Sequence, residues 1–409
     1  MEYNQTEIER RKGPDIVVKS LAFYFLLMPF DSFPVFGMGS LLKIVAILPL
    51  FAVLVLHRKK TLRINRLTSV FIIYVIVNAI TCIYSVDTAA SLFELRRLLM
   101  NGLLIIVVGG MYTQYTKEDL QYLTKALILG GLATVALTLI FSDSSLTGRL
   151  TLMINGSRQD QNYINGYMYF AYAFFMNRMI RERKVLFLIP VAGLTLFTLM
   201  TGSRGATLAL IALGLMVFIY NMFNEGRIRF RIMIISLIAM MCFFIGFDYI
   251  MMLLPSSVAR RFNFNFIVDN TGTSRGALWL SLLKTYKESN VFRQFFGHGY
   301  GAVYTVNTYN HLVAHNLWLD HLISGGIVGL ALLIYMNVVF VKEAWKQKDV
   351  VIFSTYMGYL AMCFTLSLTN YKPLWNCMIM IMVLHYSNLN EKQKKDSDED
   401  YSTRESDNL

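Results

Sequence analysis

Charged residues are scarce in this chain. Asp, Glu, Lys and Arg make up 16% of its 409 residues, against roughly 25% in an ordinary globular protein, and 55% of its residues are hydrophobic. This composition excludes a soluble globular protein. It predicts instead that the lipid bilayer surrounds most of the chain.

Cysteine is scarce as well, with four residues in the whole chain. Cys82, Cys242, Cys363 and Cys377 all fall in apolar stretches, where a free thiol behaves as a small apolar side chain. The sequence therefore predicts neither a disulfide framework nor a cysteine metal site.

Ionisable residues are few within the apolar stretches. Asp248, Asp320, His321 and His385 lie near their ends or faces. A proton-driven transporter typically carries carboxylates or His deep within several helices, and many transporters are built from internal repeats, of which none is detectable here. Both absences argue against transport, but a flippase for a lipid-linked oligosaccharide stays open as an alternative of another class.

Long apolar runs fill most of the chain, and a membrane-spanning helix needs about 20 mostly apolar residues. The sequence predicts an all-α, polytopic membrane protein with about 12 transmembrane helices and a large external loop that contains short helices. We assign residues 1–255 to spans one to nine, 256–314 to the external loop, 315–390 to spans ten to twelve, and 391–409 to a disordered cytoplasmic tail. The predicted spans are residues 16–30, 41–57, 67–86, 95–115, 122–141, 163–180, 185–201, 207–223, 232–255, 315–341, 350–369 and 374–388.

The basic residues predict the orientation of the chain. With both termini in the cytoplasm, 24 of the 38 Lys and Arg residues fall on the cytoplasmic side and 12 fall outside, in agreement with the positive-inside rule. The first apolar stretch is followed by Asp31-Ser32-Phe33-Pro34 and not by a small-residue cleavage site. We therefore expect it to remain in the protein as span one.

The external loop departs from that rule. It carries six basic residues against Asp269 and Glu288, a net charge of +4. A loop of this length crosses the membrane largely regardless of its charge, so the excess alone requires no function. The alternative is an outward-facing anion site, to which Arg260 and Arg261 are candidates to contribute. Because helix orientation and such a site account for the net charge of +12, no nucleic-acid partner is predicted.

Arg204 follows a short turn between spans seven and eight, in the sequence Gly202-Ser203-Arg204-Gly205. This position places its guanidinium at the outer membrane surface, beside the free N–H groups at the start of a helix. The two features together favour a bound phosphate. An arginine that snorkels to lipid headgroups would occupy the same place, and that interpretation stays open.

Arg275 stands at the start of a candidate helix in the external loop. Apolar residues follow it at helical spacing from Leu278 to Tyr286, and Thr273 or Ser274 would cap the helix. A cation in the first turn opposes the helix dipole, and a ligand anion would relieve the repulsion. A solvated arginine is the alternative.

His315 begins span ten and is predicted to lie at its outer mouth. A histidine with a pKa near neutrality is the usual general base for a hydroxyl group. His311 lies four residues earlier and would share a helix face with it, as zinc ligands do. No third ligand follows at helical spacing, so a zinc-dependent hydrolase is a distant alternative and no metal is predicted.

The run Gly297-His298-Gly299-Tyr300-Gly301 is rich in glycine, as nucleotide-binding loops are. No alternating strands and helices surround it, and no Lys-Ser/Thr pair follows it. The run therefore predicts a tight, flexible connection.

Three motifs taken in order resemble the O-antigen polymerase and ligase superfamily, which includes the Wzy-type polysaccharide polymerases. The similarity covers about residues 195–335, whereas the earlier half of the chain is similar only in hydropathy. The motifs are Gly202-Ser203-Arg204-Gly205-Ala206, then Ser274-Arg275 and Trp279 leading to Phe296-Gly297-His298-Gly299, then Ala314-His315-Asn316-Leu317-Trp318-Leu319 followed by Gly325-Gly326-Ile327-Val328-Gly329-Leu330.

The resemblance implies a GT-C-like membrane glycosyltransferase that inverts configuration and needs no metal or other cofactor. Its donor would be an undecaprenyl-pyrophosphate oligosaccharide on the outer, periplasmic face of the cytoplasmic (inner) membrane. The resemblance further implies that Arg204 and Arg275 hold the pyrophosphate, and that His315 acts as base on the acceptor hydroxyl or orients it. Membrane lipid and a chain-length regulator protein are the other implied partners.

Within the superfamily, polymerases join lipid-linked repeat units, whereas ligases transfer a finished glycan to the lipid A core or to protein. We expect a polymerase of O-antigen, capsule or exopolysaccharide, because the chain shows no appended soluble domain of the kind that protein-glycosylating members often carry. A ligase is the alternative with the same chemistry.

Overall fold

The computed structural model describes residues 13–31, 33, 40–56, 64–142, 148–154, 156–223, 234, 241, 245–247, 249–263, 275–307, 309 and 312–406. Its regular structure is almost entirely helical, with one short antiparallel hairpin of β1 (Met153–Ile154) and β2 (Ser157–Arg158). The helices are α1 (Ile16–Leu26), α2 (Leu41–Val45), α3 (Ile47–Leu56), α4 (Arg66–Thr81), α5 (Thr88–Leu104), α6 (Lys117–Ile140), α7 (Tyr169–Glu182), α8 (Leu188–Met200), α9 (Arg204–Phe223), α10 (Ser256–Phe262), α11 (Arg275–Glu288), α12 (Val291–Phe296), α13 (Val303–Val306), α14 (Leu317–Lys346), α15 (Val350–Met362) and α16 (Lys372–Ser406). Short 3-10 segments cover Met28–Phe30, Ile164–Met168 and Val185–Phe187, and a π-helical segment, Ile105–Met111, continues α5.

Polar side chains cap several helices where the sequence changes from polar to apolar. Asp15 accepts a hydrogen bond of 3.0 Å from the N–H of Val18 at the start of α1. Thr116 and Asp119 form a capping box at the start of α6. These caps satisfy N–H groups that have no partner within the helix, so they fix where each apolar helix begins.

The described helices are apolar outside as well as inside. Ile73, Ile76 and Ile80 share one face of α4, and each is about half exposed. Three described helices, α6, α9 and α14, are long and apolar enough to cross a membrane, and shorter apolar helices accompany them. These features support an integral membrane protein, whereas the count of twelve spans and their sidedness stay predictions. Half of predicted span nine, residues 232–255, lies outside the described residues.

A break in α14 receives the glycine-rich run. Gly326 has φ 63° and ψ −163°, a conformation that essentially only glycine adopts, and the helix is kinked there. In the turn before the break, the carbonyls of Ile323 and Ser324 accept 2.9 Å hydrogen bonds from the N–H groups of His298 and Gly299. The run is therefore tight, as expected, but it is held by α14 and does not form the flexible connection that its glycines predict.

The end of the chain differs from the prediction of a disordered tail. Helix α16 continues to Ser406, through most of residues 391–409. Asn390 donates to the carbonyls of Thr113 and Tyr115 at 2.8 and 2.9 Å, and Glu391 pairs with Lys117. The polar composition indicated only that the tail buries little, but Glu, Lys and Gln are strong helix formers and extend a helix that has already begun.

Candidate functional site

Arginines from three separate segments converge beside the start of α9. Arg204 is the first residue of α9, Arg261 lies in the last turn of α10, and Arg275 is the first residue of α11. Together with Ser203 and Thr365 they line a cavity of about 30 Å³, whose lining includes no acidic residue among those described. We name this group of three residues the arginine cluster.

The turn before α9 is held by two guanidinium groups. Arg149 Nε donates to the carbonyl of Thr201 at 2.7 Å, and Arg261 Nε donates to the carbonyl of Gly202 at 2.9 Å. Gly202 has φ +61°, and a Cβ there would lie 3.1 Å from Arg149 Nε and 3.2 Å from Arg261 Cδ. The positive φ of this turn therefore favours glycine, and a side chain there would also press against both arginines.

The charges of the arginine cluster are not neutralised within the part of the chain that the structure describes. No carboxylate there lies within 4.0 Å of Arg204, Arg261 or Arg275. Burial lowers the pKa of Arg261 and of Arg275, and the nearby charge of Arg204 lowers both further. Burial and then the charge of Arg261 lower the pKa of Arg149 to about 10. Half-buried cations that repel one another form a site in which an anion of two or more charges would be stabilised.

The start of α9 adds to this preference for an anion. Ser203 caps the helix, since its hydroxyl accepts a 3.4 Å hydrogen bond from the N–H of Ala206. Gly205, in the first turn, lines the same cavity. N–H groups of a first helical turn have no partner within the helix and favour bound phosphate.

Arg260 is not brought to the arginine cluster, although the sequence predicts that it contributes to the anion site. It is exposed and does not line the cavity. Consecutive residues of a helix point in different directions, and it is the side chain of Arg261 that donates to Gly202 and lines the cavity. We leave Arg260 outside the site that we propose below.

His315 has a backbone conformation that is uncommon for a side-chain-bearing residue, with φ +50°. Both neighbours fix it there. The carbonyl of Ala314 accepts a hydrogen bond from Trp279 Nε1 at 2.7 Å, and the N–H of Ala314 donates to Asp320 Oδ1 at 2.9 Å. On the other side, Asn316 caps α14. The loop therefore determines where the imidazole stands, and backbone strain of this kind clusters at functional sites.

The imidazole of His315 retains a free nitrogen. Its Nδ1 is buried and has no hydrogen-bond partner among the described residues. Burial and then the charge of Arg275 lower the pKa of His315, against the opposing effect of Asp160. The ring is therefore neutral near pH 7, which is the form that accepts a proton. His311, the other candidate for a zinc site, lies outside the described residues.

A larger cavity of about 320 Å³ adjoins the arginine cluster. Two pairs of adjacent residues join the cavities. Asn162 and Leu366 line the small cavity, whereas Tyr163 and Ser367, the next residues in the chain, line the large one. The hydroxyl of Tyr163 donates to the carbonyl of Ser367 at 3.3 Å and joins these two walls. All residues that line either cavity lie in the predicted outer connections or in the outer parts of the spans beside them.

The sequence does not indicate Arg149 or this larger cavity. Arg149 lies in a different outer connection from Arg204, and no motif surrounds it. The polar and aromatic residues of the larger cavity come from segments far apart in the chain. Their only signal in the sequence is that all these segments fall on the same predicted side of the membrane.

Comparison with known families bears on the same region. Residues 189–334 match the family model Wzy_C, described as O-Antigen ligase, and no curated protein matches the chain. The matched range contains Arg204, Arg261, Arg275 and His315 and nearly coincides with the range of the motifs. The match confirms the resemblance to the O-antigen polymerase and ligase superfamily, and it supports an enzyme that acts on lipid-linked glycans in a membrane.

Proposed function

We propose that this protein polymerises lipid-linked oligosaccharide repeat units at the outer face of the cytoplasmic membrane. The donor is an undecaprenyl-pyrophosphate glycan, and the acceptor is a sugar hydroxyl of a second lipid-linked unit. The observation that carries the proposal is the arginine cluster, in which Arg204, Arg261 and Arg275 surround one cavity without a carboxylate partner in the described chain. The family match over residues 189–334 supports the same class of chemistry.

The reaction is a direct displacement at the anomeric carbon. The acceptor oxygen forms a bond to that carbon on the side opposite the pyrophosphate, so configuration inverts. The bond from the carbon to the pyrophosphate oxygen breaks, and its electron pair remains on that oxygen. The guanidiniums of the arginine cluster stabilise the growing negative charge, because they are held beside it and partly removed from water.

The acceptor hydroxyl must lose its proton as its oxygen attacks. We assign this proton to the neutral imidazole of His315, which lies near Arg275 but lines neither cavity, so its ring must turn towards the acceptor for the transfer. General base catalysis of this kind contributes about 10²–10⁴-fold to a rate.

We expect the small cavity, of about 30 Å³, to widen as a pyrophosphate enters, because it is far below the ~300 Å³ at which ligand pockets begin. Arg204 and Arg275 are only half-buried, and no hydrogen bond of either side chain to another described residue restrains it. We expect these side chains to rotate apart as the anion enters, because mutual repulsion already favours separation.

Single substitutions test this proposal in cells that depend on the protein for polymer. We expect Arg275→Ala or His315→Ala to lower polymerisation by about 10²-fold or more, so that single repeat units accumulate on the lipid carrier while the protein remains in the membrane. Arg260→Ala, which removes an exposed arginine outside the cavity, is the matched control and should retain polymer. Normal long-chain polymer in both site variants would overturn the proposal.

A ligase is the second candidate, favoured by the description of the matched family. Purified protein in liposomes separates the two, because a polymerase consumes a second lipid-linked unit and a ligase consumes lipid A core or a protein acceptor. Movement of the lipid-linked unit across the bilayer without a new glycosidic bond would instead indicate a flippase.

A further inference from the structure

We propose that the cavity of about 320 Å³ is a subsite for an uncharged sugar of the glycan and that it excludes acidic sugars. The inference rests on the proposed function, because the cavity adjoins the arginine cluster and would hold the sugar next to the pyrophosphate or the acceptor sugar. At the low end of the ~300–1,000 Å³ range of ligand pockets, it suits about one or two sugar rings.

Buried amide groups in the cavity wall lack partners. Gln159 is 4% exposed, and neither its Nε2 nor its Oε1 has a hydrogen-bond partner in the described structure. Asn370 Oδ1, also in the wall, is buried without a partner as well. Such groups cost free energy unless a ligand or water satisfies them. Sugar hydroxyls suit them, because each hydroxyl both donates and accepts a hydrogen bond.

Aromatic rings supply the apolar part of the wall. Tyr371 lies between two others, with ring centroids 5.7 Å from both Tyr163 and Tyr167, and Tyr300 and Tyr304 also line the cavity. A pocket with apolar ring surface and a few fixed polar groups matches a sugar, which presents C–H groups on its faces and hydroxyls at its edges.

The charge of the wall determines which sugars fit. Arg97 pairs with Glu94 at 2.8 Å, and Lys372 pairs with Asp31. Asp160 and Asp320 have no ion-pair partner among the described residues. Sugar hydroxyls can donate to both side chains, whereas the carboxylate of an acidic sugar would be repelled by the exposed carboxylate of Asp160. The carboxylates of the wall are Asp31, Glu94, Asp160 and Asp320.

The two cavities also differ in their relation to the matched family. The arginine cluster lies within residues 189–334, but Gln159, Asp160, Tyr163 and Asn370 lie outside that range. Recognition of pyrophosphate is thus placed in the part of the chain that is similar to a family, and recognition of the sugar mostly in the part that is not.

Binding to the full chain in lipid nanodiscs tests the inference. The probes are neutral disaccharides (cellobiose, lactose and N,N′-diacetylchitobiose) and acidic ones (digalacturonic acid and cellobiouronic acid), followed by saturation-transfer NMR and calorimetry. We expect at least one neutral disaccharide to bind about 10-fold or more tightly than either acid, a difference of about 1.4 kcal/mol. Gln159→Ala should lower the affinity for the neutral disaccharide, and Asp160→Asn should reduce the difference in affinity between neutral and acidic disaccharides.

Two results would overturn the inference: no binding of any neutral disaccharide, or equal binding of acidic ones. Because Gln159 is buried, loss of binding in Gln159→Ala counts as evidence only if the variant has the same melting temperature as the wild-type protein. Asp160 is exposed, so Asp160→Asn carries the test of charge in either case.

Methylenebisphosphonate, added to the same samples, separates this inference from the proposed function. Bisphosphonate binding that is lost in Arg275→Ala, without any disaccharide binding, would remove the sugar subsite and leave the pyrophosphate site standing. Disaccharide binding without bisphosphonate binding would remove the proposed pyrophosphate site and leave the sugar subsite.

Discussion

His315 and Arg275 are coupled by charge, and the coupling decides when the imidazole can accept a proton. Burial lowers the pKa of His315 below its usual value, and the guanidinium of Arg275 lowers it further. The imidazole therefore stays neutral to a lower pH than an exposed histidine would. In the function that we propose, a bound pyrophosphate would neutralise Arg275 and weaken this part of the shift, so the imidazole would become a stronger base when the substrate is bound.

The pH dependence of the reaction follows from this shift. The rate with the wild-type protein should be level above pH ~6.5 and should fall on the acid side, with a midpoint below that value, as His315 becomes protonated. His315→Gln should leave a slow residual reaction without this acid limb. A pH–rate profile in liposomes measures both, and an identical acid limb in the variant would exclude His315 as the base.

Arg149 is a positioning residue for the arginine cluster. It is 8% exposed, and Arg149→Ala leaves the carbonyl of Thr201 without its side-chain donor, at a cost of about 1–3 kcal/mol. We expect a lower melting temperature and weaker bisphosphonate binding, since the turn before α9 loses one of its two supports. Arg149→Lys should restore part of both because an ammonium can still reach the carbonyl. Unchanged bisphosphonate affinity in Arg149→Ala would contradict this role.

The residues that sequence reasoning finds and misses differ in one respect. Arg204, Arg275 and His315 stand in short motifs beside apolar runs, so local order marks them. Arg149 and Gln159 act only through contacts with distant segments, and neither composition nor spacing encodes those contacts.

At the scale of elements, α14 is the helix that organises the outer side. Its cap, Asn316, adjoins His315, its first turn presents Asp320 to the larger cavity, and its break at Gly326 receives the glycine-rich run. Gly326, which the sequence offers only as part of a motif, thus has a physical cause. A Cβ at Gly326 would lie 2.4 Å from the carbonyl group of Phe295, at the end of α12.

Two adjacent glycines of α14 give a matched test. Gly326→Ala should destabilise the protein by about 2 kcal/mol or more, because the backbone there suits only glycine and the added carbon meets Phe295. Gly325→Ala should be tolerated, since nothing lies within 4 Å of a Cβ at that position. Thermal unfolding of the two purified variants measures the difference, and equal melting temperatures would show that the break does not hold the fold.

At the scale of the whole molecule, hydrophobicity predicts the helical class and the approximate positions of most described helices. It does not predict where apolar runs divide into shorter pieces, as around Ala46, or change to a π-helix, as at Ile105–Met111. It also misses the continuation of α16. Such details depend on packing against neighbouring helices and on hydrogen bonds from distant residues, which a one-dimensional pattern does not contain.

The predicted sidedness can be tested with single cysteines at exposed positions. Glu288→Cys, in the external loop, should react with a membrane-impermeant maleimide in intact cells, whereas Lys184→Cys should react only after permeabilisation. The native Cys82, Cys363 and Cys377 are buried and should contribute little, and the unsubstituted protein measures that background. Labelling of Lys184→Cys alone in intact cells would reverse the orientation and place both cavities on the cytoplasmic side.

The break in α14 also bears on how deep the outer end of this helix lies in the membrane. The straight arm after Gly326, residues 327–346, is about 30 Å long at 1.5 Å per residue, which equals the thickness of the hydrocarbon layer. We expect this arm to cross the bilayer by itself, which would place the short arm before the break at the level of the lipid headgroups and not inside the predicted span of residues 315–341. A polyprenyl carrier already floats with its pyrophosphate at that level. The lipid-linked substrate that we propose would therefore reach the arginines by lateral diffusion within the membrane, without drawing its charges into the hydrocarbon.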